Sequence, residues 1–286
     1  LKHKGNIKVL LQTYFGDIRN IYSQVLQLNF DGIGLDFVEG KKTFELISDY
    51  GFPDNKMLFA GIVNGKNIWR NNYSASLSLL EKLSSYVDKE HLVIGTSCSL
   101  LHVPYTIKNE TSLPDKYKAH LAFAEEKLTE LDELKALAES PSYSIADTFK
   151  KNSRLFTDRL SSEDKALRER ISSLTDKDFT RLPVSEERAQ IQKNIFNFPL
   201  LPTTTIGSFP QTAEIKANRA KYKRGEISEK QYKNNIKQKI ADCIALQEKI
   251  GLDVLVHGEY ERNDMVEYFG ENLSGFIFTE KAWVQS

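Results

Sequence analysis

The chain has 286 residues, of which 40% are hydrophobic and 27% charged, a composition typical of a globular protein. Its 39 Lys and Arg balance 39 Asp and Glu, so net charge gives no reason to expect nucleic acid or an anionic membrane as a partner. No apolar run approaches the roughly 20 residues that span a bilayer, and two cysteines are too few for a disulfide framework. We therefore expect a cytoplasmic protein with one large barrel or two domains.

Residues 1–114 alternate short apolar runs with amphipathic stretches, a pattern typical of parallel β/α units. We predict strands at residues 8–14, 32–37, 57–63 and 92–96, and helices at residues 17–28, 43–49 and 74–86. The strands are almost continuously apolar, as expected where both faces are covered. Gly32 and Gly34 lack the third glycine and the following helix of a dinucleotide-binding fingerprint, so that function is excluded. The region is predicted to be part of a β/α barrel.

Residues 115–199 carry long helical patterns and no strand pattern. Apolar residues recur every three or four positions from Tyr117 to Leu137, which predicts one buried face and leaves Glu126 and Glu130 among the residues facing solvent. The stretch that follows is dense in Ser and charged residues. We interpret the whole region as a helical connector.

A second α/β unit is predicted over residues 200–286. The Thr-rich run 201–206 is typical of a strand, and the turn Gly207-Ser-Phe-Pro210 and a polar segment follow it. A helix is then predicted from Ser228, with Gln231 three positions later in a capping-box arrangement and Gly251 at its C-terminal cap. The apolar run 253–256 predicts the next strand.

The two predicted strands of this unit each deliver polar groups. Gly207 and Ser208 follow the first strand, and His257, Gly258 and Glu259 follow the second. Because residues after parallel strands meet at the same end of a sheet or barrel, Ser208 and Glu259 are expected to lie close together.

An anion-binding turn beside an acidic residue at a strand end could bind both the carboxylate and the ammonium group of an α-amino acid. Gly207 lets a carboxylate approach the backbone, and Ser208 adds an N–H and a hydroxyl. Glu259 could hold an ammonium group. Two simpler explanations stay open, namely a turn that only reverses the chain and an ion pair between Glu259 and Arg262.

Metal-binding signals are weak. Cys98 and His102 are four residues apart after a strand, but no third ligand accompanies them. Cys243 lies on the apolar face of its helix and is predicted to be in the core. His257 is expected to orient its loop. No catalytic residue is assigned, and no metal ligand is expected in this chain.

Two long motifs closely resemble the start of the catalytic domain of cobalamin-independent methionine synthases. They are Leu201-Pro-Thr-Thr-Thr-Ile-Gly-Ser-Phe-Pro-Gln-Thr212 and Asp253-Val-Leu-Val-His-Gly-Glu-Tyr-Glu-Arg-Asn-Asp-Met-Val-Glu-Tyr-Phe-Gly-Glu271. Three upstream stretches are similar to that family's N-terminal barrel with lower specificity: Gln12-Thr-Tyr-Phe-Gly-Asp17, Asp31-Gly-Ile-Gly-Leu-Asp-Phe-Val-Glu-Gly40 and Gly61-Ile-Val-Asn-Gly-Lys-Asn-Ile-Trp-Arg70. The resemblance covers most of the chain.

The resemblance implies an α/β fold of two face-to-face β/α (TIM-type) barrels. Both are expected to be incomplete here, with the end of the first at residues 1–114, the connector at 115–199 and the start of the second at 200–286. The chain begins without Met and ends just after an apolar run, so we expect an internal fragment of a longer protein.

The implied reaction is transfer of a methyl group from 5-methyltetrahydropteroyltri-L-glutamate to L-homocysteine, the last step of methionine biosynthesis. The family's homocysteine-binding residues match Ile206, Gly207, Ser208 and Glu259. The family uses zinc, whose ligands would lie downstream of this chain. The implied partners are the two small substrates, and with the balanced charge we expect a monomer that binds neither nucleic acid nor a membrane. The alternatives are a catalytically inert fragment and a related barrel methyltransferase with another methyl donor.

Overall fold

The structure is a computed structural model that describes residues 4–157 and 164–284. Residues 4–157 with 278–284 form one structural unit, and residues 164–277 form a second. Within the described ranges, no helix combines the length and the apolar character that crossing a membrane requires.

Four parallel strands form the sheet of the first unit, in the order β1-β2-β3-β4. They are β1 (Leu10–Gln12), β2 (Gly32–Asp36), β3 (Met57–Val63) and β4 (Leu92–Thr96). All four predicted strands are confirmed, but β1 is shorter than the predicted 8–14. One reason is that the Asp31 carboxylate accepts the Val9 N–H at 2.7 Å, in place of a main-chain partner.

The helices between these strands are α1 (Tyr22–Gln27), α2 (Thr43–Tyr50) and α3 (Tyr73–Leu83). The first begins five residues later than predicted, because the Asp17 side chain bonds Arg19 and the Lys42 N–H in a turn instead of capping a helix. Asn72 caps α3 by accepting the Ala75 N–H. The helices cover the sheet with a buried apolar core: Tyr22, Ile33, Leu35, Ile47, Leu58, Ala60, Val63, Tyr73, Leu77 and Leu83.

Helices α4 (Asp115–Lys118), α5 (Ala124–Glu139) and α6 (Asp147–Thr157) complete this unit. Leu134 of α5 is fully buried in the core, whereas Leu128 is 57% exposed. The prediction that Glu126 and Glu130 face solvent is wrong, since both are buried.

Long-range hydrogen bonds explain the burial of these two glutamates. Glu126 accepts the hydroxyl of Thr106 at 2.9 Å and the N–H of Ile107 at 3.1 Å. Glu130 accepts the N–H of Asn71 at 2.9 Å, and burial raises its pKa. Both carboxylates thus bind loops that follow the sheet strands, which helical periodicity cannot reveal.

The last described residues of the chain return to the first unit. The buried carboxylate of Glu110 accepts the main-chain N–H groups of Glu280 and Lys281, each at 2.7 Å. Ala282 packs against a small apolar cluster that contains Leu113 and Phe123. The Glu110 side chain therefore binds the main chain of a segment some 170 positions away in sequence.

The second unit contains α7 (Lys165–Ser172), α8 (Ser185–Phe196), α9 (Ala213–Lys223), α10 (Glu229–Ile250) and α11 (Met265–Asn272). The predicted start of α10 is confirmed, because Ser228 and Gln231 form a reciprocal capping box. Gly251 ends α10 in the left-handed conformation, at φ 87°. Helix α9 was missed, since residues 213–223 were interpreted as a polar segment.

The predicted strands 201–206 and 253–256 run side by side without forming regular strands. The isolated parallel bridge between Ser208 and Gly258 joins their ends. Side chains replace several of the main-chain hydrogen bonds that two paired strands would form. The Asp253 carboxylate accepts the Thr203 N–H at 2.7 Å, and the Gln247 amide bonds to both the N–H and the carbonyl of Val256. The α/β class is confirmed by the parallel sheet of the first unit, while the two barrels stay a prediction.

Candidate functional site

The two motif ends of the second unit lie next to each other. The Phe209 N–H donates to the Gly258 carbonyl at 3.0 Å, beside the bridge between Ser208 and Gly258. Further back, the Val254 N–H donates to the Thr203 carbonyl at 3.0 Å. The expected proximity of Ser208 and Glu259 therefore arises from two parallel extended segments.

Gly207 lies beside the carboxylate of Glu259. A Cβ placed on Gly207 would lie 2.7 Å from Oε1 of Glu259, which is closer than van der Waals contact permits. The absence of a side chain at residue 207 thus leaves room for the carboxylate beside the main chain. Ser208 and Ile206 are exposed, Ile206 to 82%, so the contact lies on an open surface of the unit.

The turn that carries Glu259 has an unusual backbone. Gly258 and Glu259 are both left-handed, at φ 86° and φ 58°. A non-glycine residue in that region costs on the order of 1–3 kcal/mol and persists only where its surroundings fix it. At Gly258, a Cβ would lie 2.6 Å from the Tyr260 ring, so packing as well as φ requires glycine there.

Arg262 neutralises the Glu259 carboxylate in this structure. Its Nη2 contacts Oε1 of Glu259 and its Nη1 lies 3.1 Å from Oε1 of Glu261. The hydrogen bond with Glu259 raises the pKa of Arg262. The ion pair considered as the simpler explanation for Glu259 is therefore present, and an incoming ammonium group would share or replace it.

His257 supports the same turn. The Glu259 N–H donates to Nδ1 of His257 at 3.1 Å, so this nitrogen accepts a bond from the main chain of the turn. Oε2 of Glu261 lies 3.5 Å from Nδ1. The bond from the Glu259 N–H agrees with the expectation that His257 orients its loop.

Two residues that the sequence analysis did not assign hold the carbonyl groups of this turn. Nε2 of Gln211 donates to the carbonyls of Glu259 and Arg262 at 3.3 and 3.4 Å. Nη2 of Arg219 donates to the carbonyls of Tyr260 and Arg262 at 3.3 and 3.1 Å. The only sequence signal was that Gln211 belongs to the first motif, one residue before the cap of α9.

Neither cysteine joins a metal site with the other side chains that the structure describes. Among the residues that the structure describes, no three His, Cys, Asp or Glu side chains form a group that could hold a metal ion. Cys98 is buried, which raises the pKa of its thiol, while the ring of His102 packs 5.2 Å from that of Phe15. Cys243 is buried beside Gln247, so its predicted core position is confirmed.

Comparison with known proteins supports the resemblance of the motifs. Residues 1–88 match the family model described as the N-terminal domain of cobalamin-independent synthase, and residues 201–286 match the model of its catalytic domain. Together the matches cover more than half of the chain.

Two similar curated proteins bear the same name. The chain is 56% identical over all 286 residues to the 5-methyltetrahydropteroyltriglutamate–homocysteine methyltransferase of Lactococcus lactis subsp. cremoris strain MG1363. It is 51% identical over the same length to the protein of that name from Campylobacter jejuni subsp. doylei. In both cases the chain spans 37% of the relative's length. With both domain models and these identities in agreement, the chain belongs to the cobalamin-independent synthase family.

Proposed function

We propose that the protein containing this chain transfers a methyl group from 5-methyltetrahydropteroyltri-L-glutamate to L-homocysteine, forming methionine. The S–CH₃ bond forms as the N–CH₃ bond breaks, while the thiol loses a proton and the folate nitrogen gains one. The names of the relatives support this reaction, and the chain's share of it is to bind the amino acid.

The observation that carries this proposal is the Glu259 carboxylate lying against the Gly207 main chain. In the proposed complex, Glu259 binds the α-ammonium group of homocysteine. The N–H and hydroxyl of Ser208 bind its α-carboxylate where Gly207 leaves the backbone open, and Ile206 borders the aliphatic part. Such fixation is itself catalytic, because methyl transfer requires sulfur and carbon to be aligned at short range.

Zinc dependence belongs to the proposal as well, but the described residues of this chain do not fit a zinc site. We assign the zinc ligands to the additional length that the relatives possess, and no step at sulfur to the residues described above.

The proposed architecture is two β/α barrels. The parallel sheet β1–β4 would belong to the first, within residues 1–114, and residues 115–199 would connect it to the start of the second barrel at 200–286. A cytoplasmic monomer that binds only its small substrates is proposed with it, and the balanced charge of the chain gives no reason to add nucleic acid or an anionic membrane as a partner.

Calorimetric binding of homocysteine and of 4-mercaptobutanoate, which lacks the ammonium group, tests the site. The protein is used at its full natural length, with Glu259→Gln and the matched control Glu226→Gln, an exposed carboxylate paired with Arg224 in the same unit. We expect Glu259→Gln to weaken homocysteine binding by about 10- to 100-fold, as loss of a charge-assisted hydrogen bond predicts.

The two ligands separate the role of the charge from a general loss of binding. In the unaltered protein and the control, homocysteine should bind more tightly than 4-mercaptobutanoate, and in Glu259→Gln this preference should largely vanish. A protein that binds neither compound, or a variant that keeps the preference, would overturn the assignment. Methionine formation from both substrates tests the reaction itself.

A further inference from the structure

The turn from Gly258 to Arg262 is held by side chains that approach its main chain from α9. Gln211 precedes the helix, and Arg219 lies two turns into it; both are half-buried. Together they donate to the carbonyl oxygens of Glu259, Tyr260 and Arg262. These carbonyls belong to the segment whose backbone is left-handed at Gly258 and Glu259.

Arg219 is the centre of this arrangement. Its Nη2 donates to Oε1 of Gln211 at 2.9 Å as well as to the two turn carbonyls, and its Nη1 lies 3.4 Å from Oδ1 of Asn263. A planar guanidinium can serve several acceptors in one fixed geometry, which a lysine cannot do. The bond to Oε1 also fixes the Gln211 amide so that its Nε2 faces the turn.

We propose that Gln211 and Arg219 are positioning residues for the amino-acid site, a role that rests on the proposed function. Their hydrogen bonds stabilise the left-handed turn, and this turn directs the Glu259 carboxylate to Gly207. They act through the main chain of residues 259–262, while the carboxylate itself contacts Arg262. Homocysteine affinity therefore depends on two side chains whose bonds go to the turn carbonyls.

The variant Gln211→Glu isolates this role. A carboxylate at residue 211 keeps the size of the side chain and can still accept from Arg219, but it cannot donate to the carbonyls of Glu259 and Arg262. Arg219→Lys keeps the charge and loses the planar donor set. Arg224→Ala is the control, because Arg224 ends the same helix and pairs with Glu226 instead of the turn.

Two measurements are made on the full-length protein. The first is the KM of homocysteine against that of the methylfolate, with the melting temperature alongside. We expect Gln211→Glu and Arg219→Lys to raise the homocysteine KM by about 10- to 100-fold, the scale on which small misplacements act. The KM of the methylfolate and the melting temperature should stay close to those of Arg224→Ala.

The second measurement is amide hydrogen exchange without substrate, which does not require activity. The N–H groups of Glu259 and Arg262, which bond within the turn, should exchange faster in both variants than in the control. If both variants keep the homocysteine KM and the exchange of the unaltered protein, the positioning role is refuted. An equal rise of both KM values with a lower melting temperature would also refute it, because that pattern marks a general structural defect.

The two proposals can fail separately. If the unaltered protein neither binds nor methylates homocysteine, the proposed function is wrong, and the exchange rates still decide whether Gln211 and Arg219 hold the turn. Normal methylation with unchanged exchange in both variants would leave the function intact and overturn the positioning role.

Discussion

Replacing Gly207 by alanine tests the space that residue 207 leaves for the Glu259 carboxylate. The new Cβ would lie 2.7 Å from Oε1 of Glu259, whereas ordinary contact begins at 3.4 Å, so the carboxylate must move by about 0.7 Å. The carboxylate ends a half-buried side chain, so rotation about the side-chain bonds can move it away from the alanine without unfolding the unit. We therefore expect a small change in stability, within about 1 kcal/mol.

The effect on binding should be larger, because the displaced Glu259 carboxylate no longer matches the ammonium group of an amino acid whose carboxylate is bound by Ser208. Loss of a charge-assisted hydrogen bond costs about 1.5–3 kcal/mol, which corresponds to about a 10- to 100-fold weaker homocysteine affinity. Calorimetry at neutral pH measures this change. Gly95→Ala is the control, since a Cβ there has no atom within 4 Å. Unchanged affinity in Gly207→Ala would refute the reasoning, as would an equal loss in the control.

Three further changes test the fold by chemical unfolding. Arg19 lowers the pKa of Asp17 to about 2 through its side-chain hydrogen bond. The stabilisation by this ion pair is present above the unfolded pKa of about 3.9 and is lost as pH falls towards 2. Asp17→Asn should therefore lower the free energy of unfolding by about 1 kcal/mol at pH 7 and by progressively less in acid. An equal loss at pH 7 and at pH 2 would contradict the ion pair. Leu134→Ala should lower the free energy of unfolding by about 2–5 kcal/mol, and the exposed Leu128→Ala by far less. Similar losses in the two variants would contradict the described orientation of α5. Gly251→Ala should cost about 1 kcal/mol because of its positive φ, and an unchanged midpoint would contradict the left-handed cap.

The sheet of the first unit could be predicted because its strands are covered on both faces. Such strands become continuous apolar runs, and the β/α alternation then implies parallel order. The burial of Glu126 and Glu130 could not be predicted in this way. Their partners, such as Thr106 and Asn71, lie far away in sequence, and helical periodicity records only which positions share a face.

In the second unit, too, local patterns could be predicted and side-chain contacts with the main chain could not. Ser228 and Gly251 cap α10 through bonds to nearby residues, so the sequence pattern predicts both caps. The strand at 253–256 was predicted wrongly as a regular strand, because the Gln247 side chain bonds Val256 where a neighbouring strand would otherwise do so.

The candidate site was partly predictable for related reasons. The proximity of Ser208 and Glu259 could be predicted, because these residues follow two neighbouring parallel segments. The carbonyl contacts of Gln211 and Arg219 do not follow from any local pattern, because a donor to main-chain oxygens places no demand on the residue type it meets. The roles of Ile206, Gly207, Ser208 and Glu259 in binding remain predictions.

The bonds from Glu110 to the amides of Glu280 and Lys281 affect the order in which the molecule folds. They close a loop of about 170 residues, and such long closures carry a large entropic cost before any contact compensates for it. During synthesis the ribosome must also deliver residues 164–277 before the partner segment of Glu110 exists. The first unit is therefore discontinuous along the chain, and until its final segment is made, the Glu110 carboxylate must rely on water for its hydrogen bonds.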